Sequence, residues 1–133
     1  MIDFHNHVLP SVDDGSKSLE MSLKMLRSAE EQGITDVVNT VHYQHPKVED
    51  EDISFERINN ELKQLQKELD KNKINIKLHI GAEVFFLPNL IQIKDDPLTT
   101  FNNSNYMLIE FLTYNLPSSN EEQFYNLKMS GIT

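Results

Sequence analysis

Apolar residues along this chain recur with two periods in alternation, one suited to strands and one to helices. The opening stretch "MIDFH" is short, apolar and extended in character. Leu19, Leu23, Leu26 and Ala29 follow at helical spacing, with Ser18 suited to the N-cap and Gly33 to the left-handed position after the last turn. A two-residue connection then leads to "DVVNTV", a β-branched run. Phe55, Ile58, Leu62, Leu65 and Leu69 mark a second amphipathic helix, at about two heptads too short for a coiled coil. "INIKLHIGAE" alternates strictly and reads as a strand ending at its glycine. "NNSN" is a turn cluster, "YMLIEF" a buried strand, and Ser119 with Glu122 a capping box for a helix reaching Gly131. Met21, Met25 and Met129 read as gap-filling core residues.

The resulting order is β-α-β-α-β-β-α. Helices that join successive strands imply parallel pairing with right-handed crossovers, in an open doubly wound sheet or part of a barrel. In either case chemistry gathers at the C-terminal ends of the strands. The charge run "VEDEDIS" reads as a solvated loop, and 133 residues suit one domain.

Composition changes this picture in three ways. There is no cysteine, which removes disulfides, thiolate metal sites and cysteine nucleophiles. The formal net charge of −9 argues against nucleic acid as a partner, and a phosphorylated substrate needs bound cations to reverse the local field. Nowhere do 18 apolar residues run together, and "DFHNH" stands where a signal peptide needs an apolar block. The expectation is a cytoplasmic protein that does not insert into a membrane.

Every strand of this pattern ends in a residue able to bind a metal: His5 and His7, His42, Glu83 and Glu110, with Asp13 and Asp14 in the loop after the first strand. His5 and His7 are two apart, so side chains on a strand leave the same face and can grip one ion. "DDG" alone is equally a turn, with glycine at positive φ and an aspartate bonding local amides. Glu83 and Glu110 can be read singly as strand-end charges, although Glu110 follows "YMLI", where an unpaired carboxylate is costly. Tyr43 and His45 lie just past His42, as substrate contacts or as plain loop residues. His79, in mid-strand, reads as structural.

"MIDFHNHVLPSVDDGSKSLEMSLKMLRSAEEQGITDVVNTVH", with "GAEVFF" and "YMLIEF" downstream, resembles the PHP superfamily. Within it, the chain is most similar to the bacterial protein-tyrosine phosphatases linked to capsule and exopolysaccharide synthesis, along all 133 residues. Val41 stands where many such proteins have proline before the histidine. The resemblance implies the N-terminal half of a distorted, TIM-like β/α barrel with mainly parallel strands. It also implies a centre of up to three divalent metals, most often manganese, with iron or zinc compatible with the same donors. Carried over by residue, His5 and His7 hold one ion with Glu110 nearby, Glu83 helps hold a second, and Asp14 with His42 a third. The implied reaction is hydrolysis of phosphotyrosine on the tail of a tyrosine autokinase. Another PHP phosphoesterase, of histidinol-phosphate phosphatase or nuclease type, and a non-catalytic binding or assembly fragment are the alternatives.

"QGIT" at residues 32–35 introduces a strand, and "SGIT" at residues 130–133 repeats that introduction. In the resembled family the next strand supplies another metal histidine and an arginine. The expectation is therefore a partial domain over residues 1–133, cut at the start of a barrel strand. Such a chain has little activity alone and self-associates or associates with its missing half.

Overall fold

The computed structural model describes residues 1–48, 53–112, 114 and 116–133. Four parallel strands lie side by side in chain order: β1 (Ile2–Asn6), β2 (Asp36–Tyr43), β3 (Lys77–Phe85) and β4 (Leu108–Glu110). With their helices they form a curled α/β half-barrel. Residues 49–52, within the expected charged loop, lie outside the described residues.

The first long helix starts where Ser18 predicts, and the second begins at a serine cap that its apolar spacing did not mark. α1 (Leu19–Glu31) is capped by Ser18, whose hydroxyl accepts from the Met21 amide at 3.2 Å. α2 (Phe55–Lys71) is capped by Ser54, which accepts from the Arg57 amide at 3.3 Å. Gly33 has φ +82° and ends α1, while the Ile34 amide returns to the Ala29 carbonyl.

Strand alternation divides β2 and β3 into two faces. Val37, Val41, Leu78, Ile80, Ala82 and Val84 join the core with Leu26, Ile58, Leu62, Leu65 and Leu69 from the helices. On the other face the parallel register aligns Val38 with His79, Thr40 with Gly81 and His42 with Glu83. That inner face therefore carries the candidate ligands toward the C-terminal ends of the strands.

Several expectations are corrected. β3 runs through Gly81 to Phe85 rather than ending at the glycine. A Cβ on Gly81 would sit 2.8 Å from the Phe101 ring and 3.0 Å from Val38, so the small residue admits Phe101 rather than stopping the strand. Between β3 and β4 stand a one-turn helix, α3 (Leu90–Ile93), and a 3-10 turn (Phe101–Asn103), where a direct β-β step was expected. Parallel neighbours need such a crossover, but Asn89 makes no side-chain cap bond and one turn leaves little periodicity to read. β4 is three residues long and only partly buried, because it pairs with β3 alone. The last helix, α4 (Asn120–Met129), starts after Ser119 without a side-chain cap bond, so the capping box does not form. Met21 and Met129 are exposed at 43% and 70%, leaving Met25 as the methionine of the three that packs on the core.

The repeated "GIT" ends both helices alike, with Gly131 at φ +91° and the Ile132 amide returning to the Leu127 carbonyl as Ile34 does to Ala29, but its threonines differ. The Thr35 amide donates to the Met1 carbonyl, and the Thr35 carbonyl accepts from Lys77, which starts β2 between its neighbours. Thr133 instead makes both its bonds to the one segment before β4, donating to the Asn105 carbonyl at 2.6 Å and accepting from the Met107 amide at 3.0 Å.

Candidate metal centre

β1 delivers its histidines through an irregularity. The register with β2 slips between Asp3 and Asn6, and His7 lies one residue beyond the strand. The two rings converge all the same, Nε2 to Nε2 at 3.4 Å, as two histidines spaced two apart on one face would. Asn39, fully buried in β2, fixes the departing chain: its Oδ1 accepts from the Val8 and Leu9 amides at 2.9 and 3.0 Å. Val8 and Leu9 then bury in the core and turn the backbone toward the "DDG" loop.

The other ligand candidates come from the three remaining strands and that loop. Glu83 Oε2 is the hub, 3.0 Å from His5 Nε2, 3.2 Å from His7 Nε2 and 3.6 Å from His42 Nδ1. Glu110 Oε2 lies 3.5 Å from His42 Nδ1, and Asp14 Oδ1 lies 3.3 Å from His42 Nε2. All six predicted residues thus meet in one cluster. They form three overlapping groups whose ligand atoms lie within 4.8 Å of one another: His5–His7–Glu83, His7–Asp14–His42 and His42–Glu83–Glu110. The geometry therefore sets Glu83, rather than Glu110, beside His5 and His7.

A cation fits this donor set. His42 Nδ1 and Glu110 Oε2 are both buried and have no hydrogen-bond partner, although they are neighbours. Two such orphaned atoms are costly unless a ligand satisfies them.

Asp13 is not a plain turn residue but is engaged with the cluster. Its Oδ2 accepts from His7 Nδ1 at 2.7 Å and its Oδ1 from the Gly15 amide at 3.0 Å. Burial lowers the His7 pKa, but the Asp13 hydrogen bond and the charges of Asp13, Glu83 and Asp14 outweigh it and raise the ring above its ordinary value. Burial likewise pushes Asp13 up, and the bonds from His7 and Gly15 overcome it, holding the carboxyl below its usual range. Gly15 is not at positive φ, as a turn glycine was expected to be. It is small because a Cβ there would lie 2.3 Å from the His7 carbonyl oxygen.

Tyr43 and His45 part company. The Tyr43 hydroxyl donates to Asp96 at 3.1 Å, and burial with the Asp96 charge pushes its pKa up to about 12. That bond ties β2 to the 95–99 segment, away from the imidazoles. His45 stays with the cluster, its Nε2 3.5 Å from Glu110 Oε1 and its ring 4.9 Å from that of His42. His79 pairs with Asp36 at 2.8 Å, as a structural histidine should.

A parallel α/β half-barrel with imidazoles and carboxylates gathered at one end of its strands defines a class of scaffold built for metal-assisted chemistry. The chain belongs to the CpsB/CapC family of capsular polysaccharide synthesis, whose family model matches residues 1–133. CapC of Staphylococcus aureus is 32% identical over 132 residues, covering 98% of this chain and 51% of CapC. The tyrosine-protein phosphatase YwqE of Bacillus subtilis is also 32% identical over 132 residues, with 98% and 51% covered. The tyrosine-protein phosphatase CpsB of Streptococcus agalactiae is 30% identical over 135 residues, with 100% and 54% covered. The chain therefore spans about half the length of the curated relatives it matches. A solved structure from the work on YwqE and on CpsB of Streptococcus pneumoniae, described as metal-dependent tyrosine phosphatases, superposes with a TM-score of 0.91 at 31% identity. It covers 99% of this chain and 53% of that one. Among the described residues, no helix is long and apolar enough to cross a membrane.

Proposed function

We propose that this chain forms part of the active site of a metal-dependent protein-tyrosine phosphatase acting on the tail of a tyrosine kinase in capsule or exopolysaccharide synthesis. The observation that carries this reading is the pair of buried, unpartnered atoms, His42 Nδ1 and Glu110 Oε2, beside the Glu83 carboxylate. His5, His7 and Glu83 would hold one divalent ion, His42, Glu83 and Glu110 another, and Asp14 with His42 a third. Manganese is the ion we favour, with iron and zinc served by the same donors. A divalent ion there supplies Lewis-acid charge and a water of lowered pKa for attack on phosphorus.

The chain's own residues then have distinct tasks. Glu83 orients imidazoles from β1 and β2 about one carboxylate, so the ligands are preorganised before substrate arrives. His45 Nδ1 accepts from the Lys47 amide at 3.1 Å, so a neutral ring carries its proton on Nε2, facing the cluster. We assign that N–H to a phosphoryl oxygen of the substrate. Tyr43 has its hydroxyl spent on Asp96, so its share in substrate binding is limited to its ring.

The groove along Met107, Ile109, Phe111, Phe124, Leu127 and Ile132 is where we expect further barrel structure to pack, on the same polypeptide or through association with another. Residues 1–133 are on this reading a partial PHP domain. The reading also sets the protein in the cytoplasm, where such a kinase tail is found.

Hydrolysis of a phosphotyrosyl peptide, histidinol phosphate and single-stranded DNA by the purified full-length protein with manganese is the test, because residues 1–133 alone should turn over very little. Turnover of the peptide alone, lost on chelation, is expected. Preference for histidinol phosphate or DNA would move the protein to another branch of the superfamily, and no turnover of any would favour a binding role.

A further inference from the structure

We propose that Asp13 is a positioning residue for the metal centre, holding His7 in the tautomer whose Nε2 lone pair faces Glu83 and His5. The inference rests on the cluster being a metal centre. Asp13 reaches none of the three ligand groups itself, and its neighbour Asp14 is the loop carboxylate that joins His42.

The tautomer follows from which atoms can donate. Asp13 Oδ2 lies 2.7 Å from His7 Nδ1, and a carboxylate only accepts, so the proton sits on Nδ1. In the neutral ring Nε2 is then a bare lone pair, 3.2 Å from Glu83 Oε2 and 3.4 Å from His5 Nε2. That is the atom a cation needs.

The carboxylate is also held from behind. Its side chain is 3% exposed, and Oδ1 accepts from the Gly15 amide at 3.0 Å. The loop is clamped onto His7, with the Ser16 amide donating to the His7 carbonyl at 3.1 Å. A Cβ at Gly15 would fall 2.4 Å from His7 Cβ, so only glycine lets the loop close this tightly. Asp14, by contrast, is 72% exposed and its Oδ1 lies 3.3 Å from His42 Nε2. Adjacent aspartates thus divide the work: one faces the ions, the other sets a ligand's proton. Carboxylates behind metal-bound imidazoles commonly have this role.

The Gly15 amide makes the proposal testable through Asp13→Asn. Gly15 N–H requires an acceptor, so the asparagine oxygen turns to Gly15 and its NH2 to His7 Nδ1. The NH2 donates, Nδ1 must accept, and the ring proton moves to Nε2, where it blocks the ion. Asp13→Ala only frees the ring to sample both tautomers. The isosteric variant should therefore be the more damaging one for metal, a rank order that a purely structural role does not predict.

Ring 15N shifts of His7 in the chelator-treated protein, at a pH above the titration of His7, read the tautomer. Manganese titration by calorimetry reads the consequence. Wild type should show Nδ1–H, Asp13→Ala a mixture and Asp13→Asn Nε2–H. Manganese affinity should fall on the order of 10–100-fold in Asp13→Asn and by less in Asp13→Ala. A wild-type ring protonated at Nε2, or a folded Asp13→Asn variant with wild-type tautomer and affinity, would overturn the proposal. The wild-type spectrum decides even if Asp13→Asn does not fold. A wild type that takes up no manganese sinks the metal-centre reading instead, while the tautomer still decides the hold of Asp13 on His7.

Discussion

The inner face of β2 and β3 carries a histidine and a carboxylate at each end, and the two ends behave differently. At the N-terminal end Asp36 of β2 meets His79 of β3 at 2.8 Å, and the second Asp36 oxygen accepts from the Thr35 hydroxyl at 2.8 Å. Donors and acceptors balance, and nothing further is needed. At the C-terminal end His42 of β2 faces Glu83 of β3 directly in register, whereas Asp36 reaches His79 on the diagonal past its own partner Lys77. There β1 and β4 add His5, His7 and Glu110, and the count of lone pairs outruns the protons. His42 Nδ1 and Glu110 Oε2 are left buried and unpartnered. Residue type does not separate a structural pair from a ligand set; the balance of donors and acceptors does.

The largest effect expected from this contrast is on catalysis. In the full-length protein, Glu83→Gln puts an NH2 or a weaker acceptor among three imidazoles and should abolish peptide hydrolysis, exceeding the roughly 10–100-fold loss typical of an outer-sphere change. His79→Asn at the balanced end should leave kcat and KM unchanged. Equal losses in steady-state assays would erase the distinction between the ends.

Metal should also separate them by stability. Manganese at about 100 times its Kd should raise the unfolding free energy by about 2.7 kcal/mol per site, read as a higher Tm. Glu110→Gln should remove part of that increment, and Asp36→Asn none of it. A chelator should return wild type to the metal-free Tm.

Midway between the two ends, Gly81→Ala should cost about 1–3 kcal/mol in denaturant melts, because the new methyl meets Phe101 at 2.8 Å and Val38 at 3.0 Å. A neutral result would mean that Phe101 is free to move off the inner face.

The smallest effect concerns acid. The His79 hydrogen bond, helped by the Thr35 hydroxyl, holds the Asp36 carboxyl below its ordinary value of 3.8. The folded state thus resists protonation there. The stabilisation is complete above the unfolded pKa and is lost as pH falls through the lower folded value. Asp36→Asn should flatten the acid limb of a Tm–pH curve and leave its neutral region alone. An unchanged acid limb would show that the pair contributes no stability.

Much of this architecture was readable in advance. Ser18, Gly33 and the apolar spacing of Ile58, Leu62, Leu65 and Leu69 locate their helices because each signal lies within a few residues of the element it controls. The missed pieces are short or depend on distant partners. α3 is a single turn without a cap bond, and the 119–122 capping box failed although its letters were right. Gly15 looked like a turn glycine, yet its constraint is the His7 backbone eight residues away.

By itself the sequence determined which residue types could bind a metal and that they stand at strand ends, since periodicity and alternation are properties of consecutive residues. Only the tertiary structure decided how they combine. It set Glu83 beside both His5 and His7, brought Asp13 within 2.7 Å of His7 Nδ1, turned the Tyr43 hydroxyl to Asp96 and left His42 Nδ1 without a hydrogen-bond partner. Each of these depends on ångström-scale distances between segments far apart in the chain, and the donor–acceptor balance does not exist until the strands are side by side.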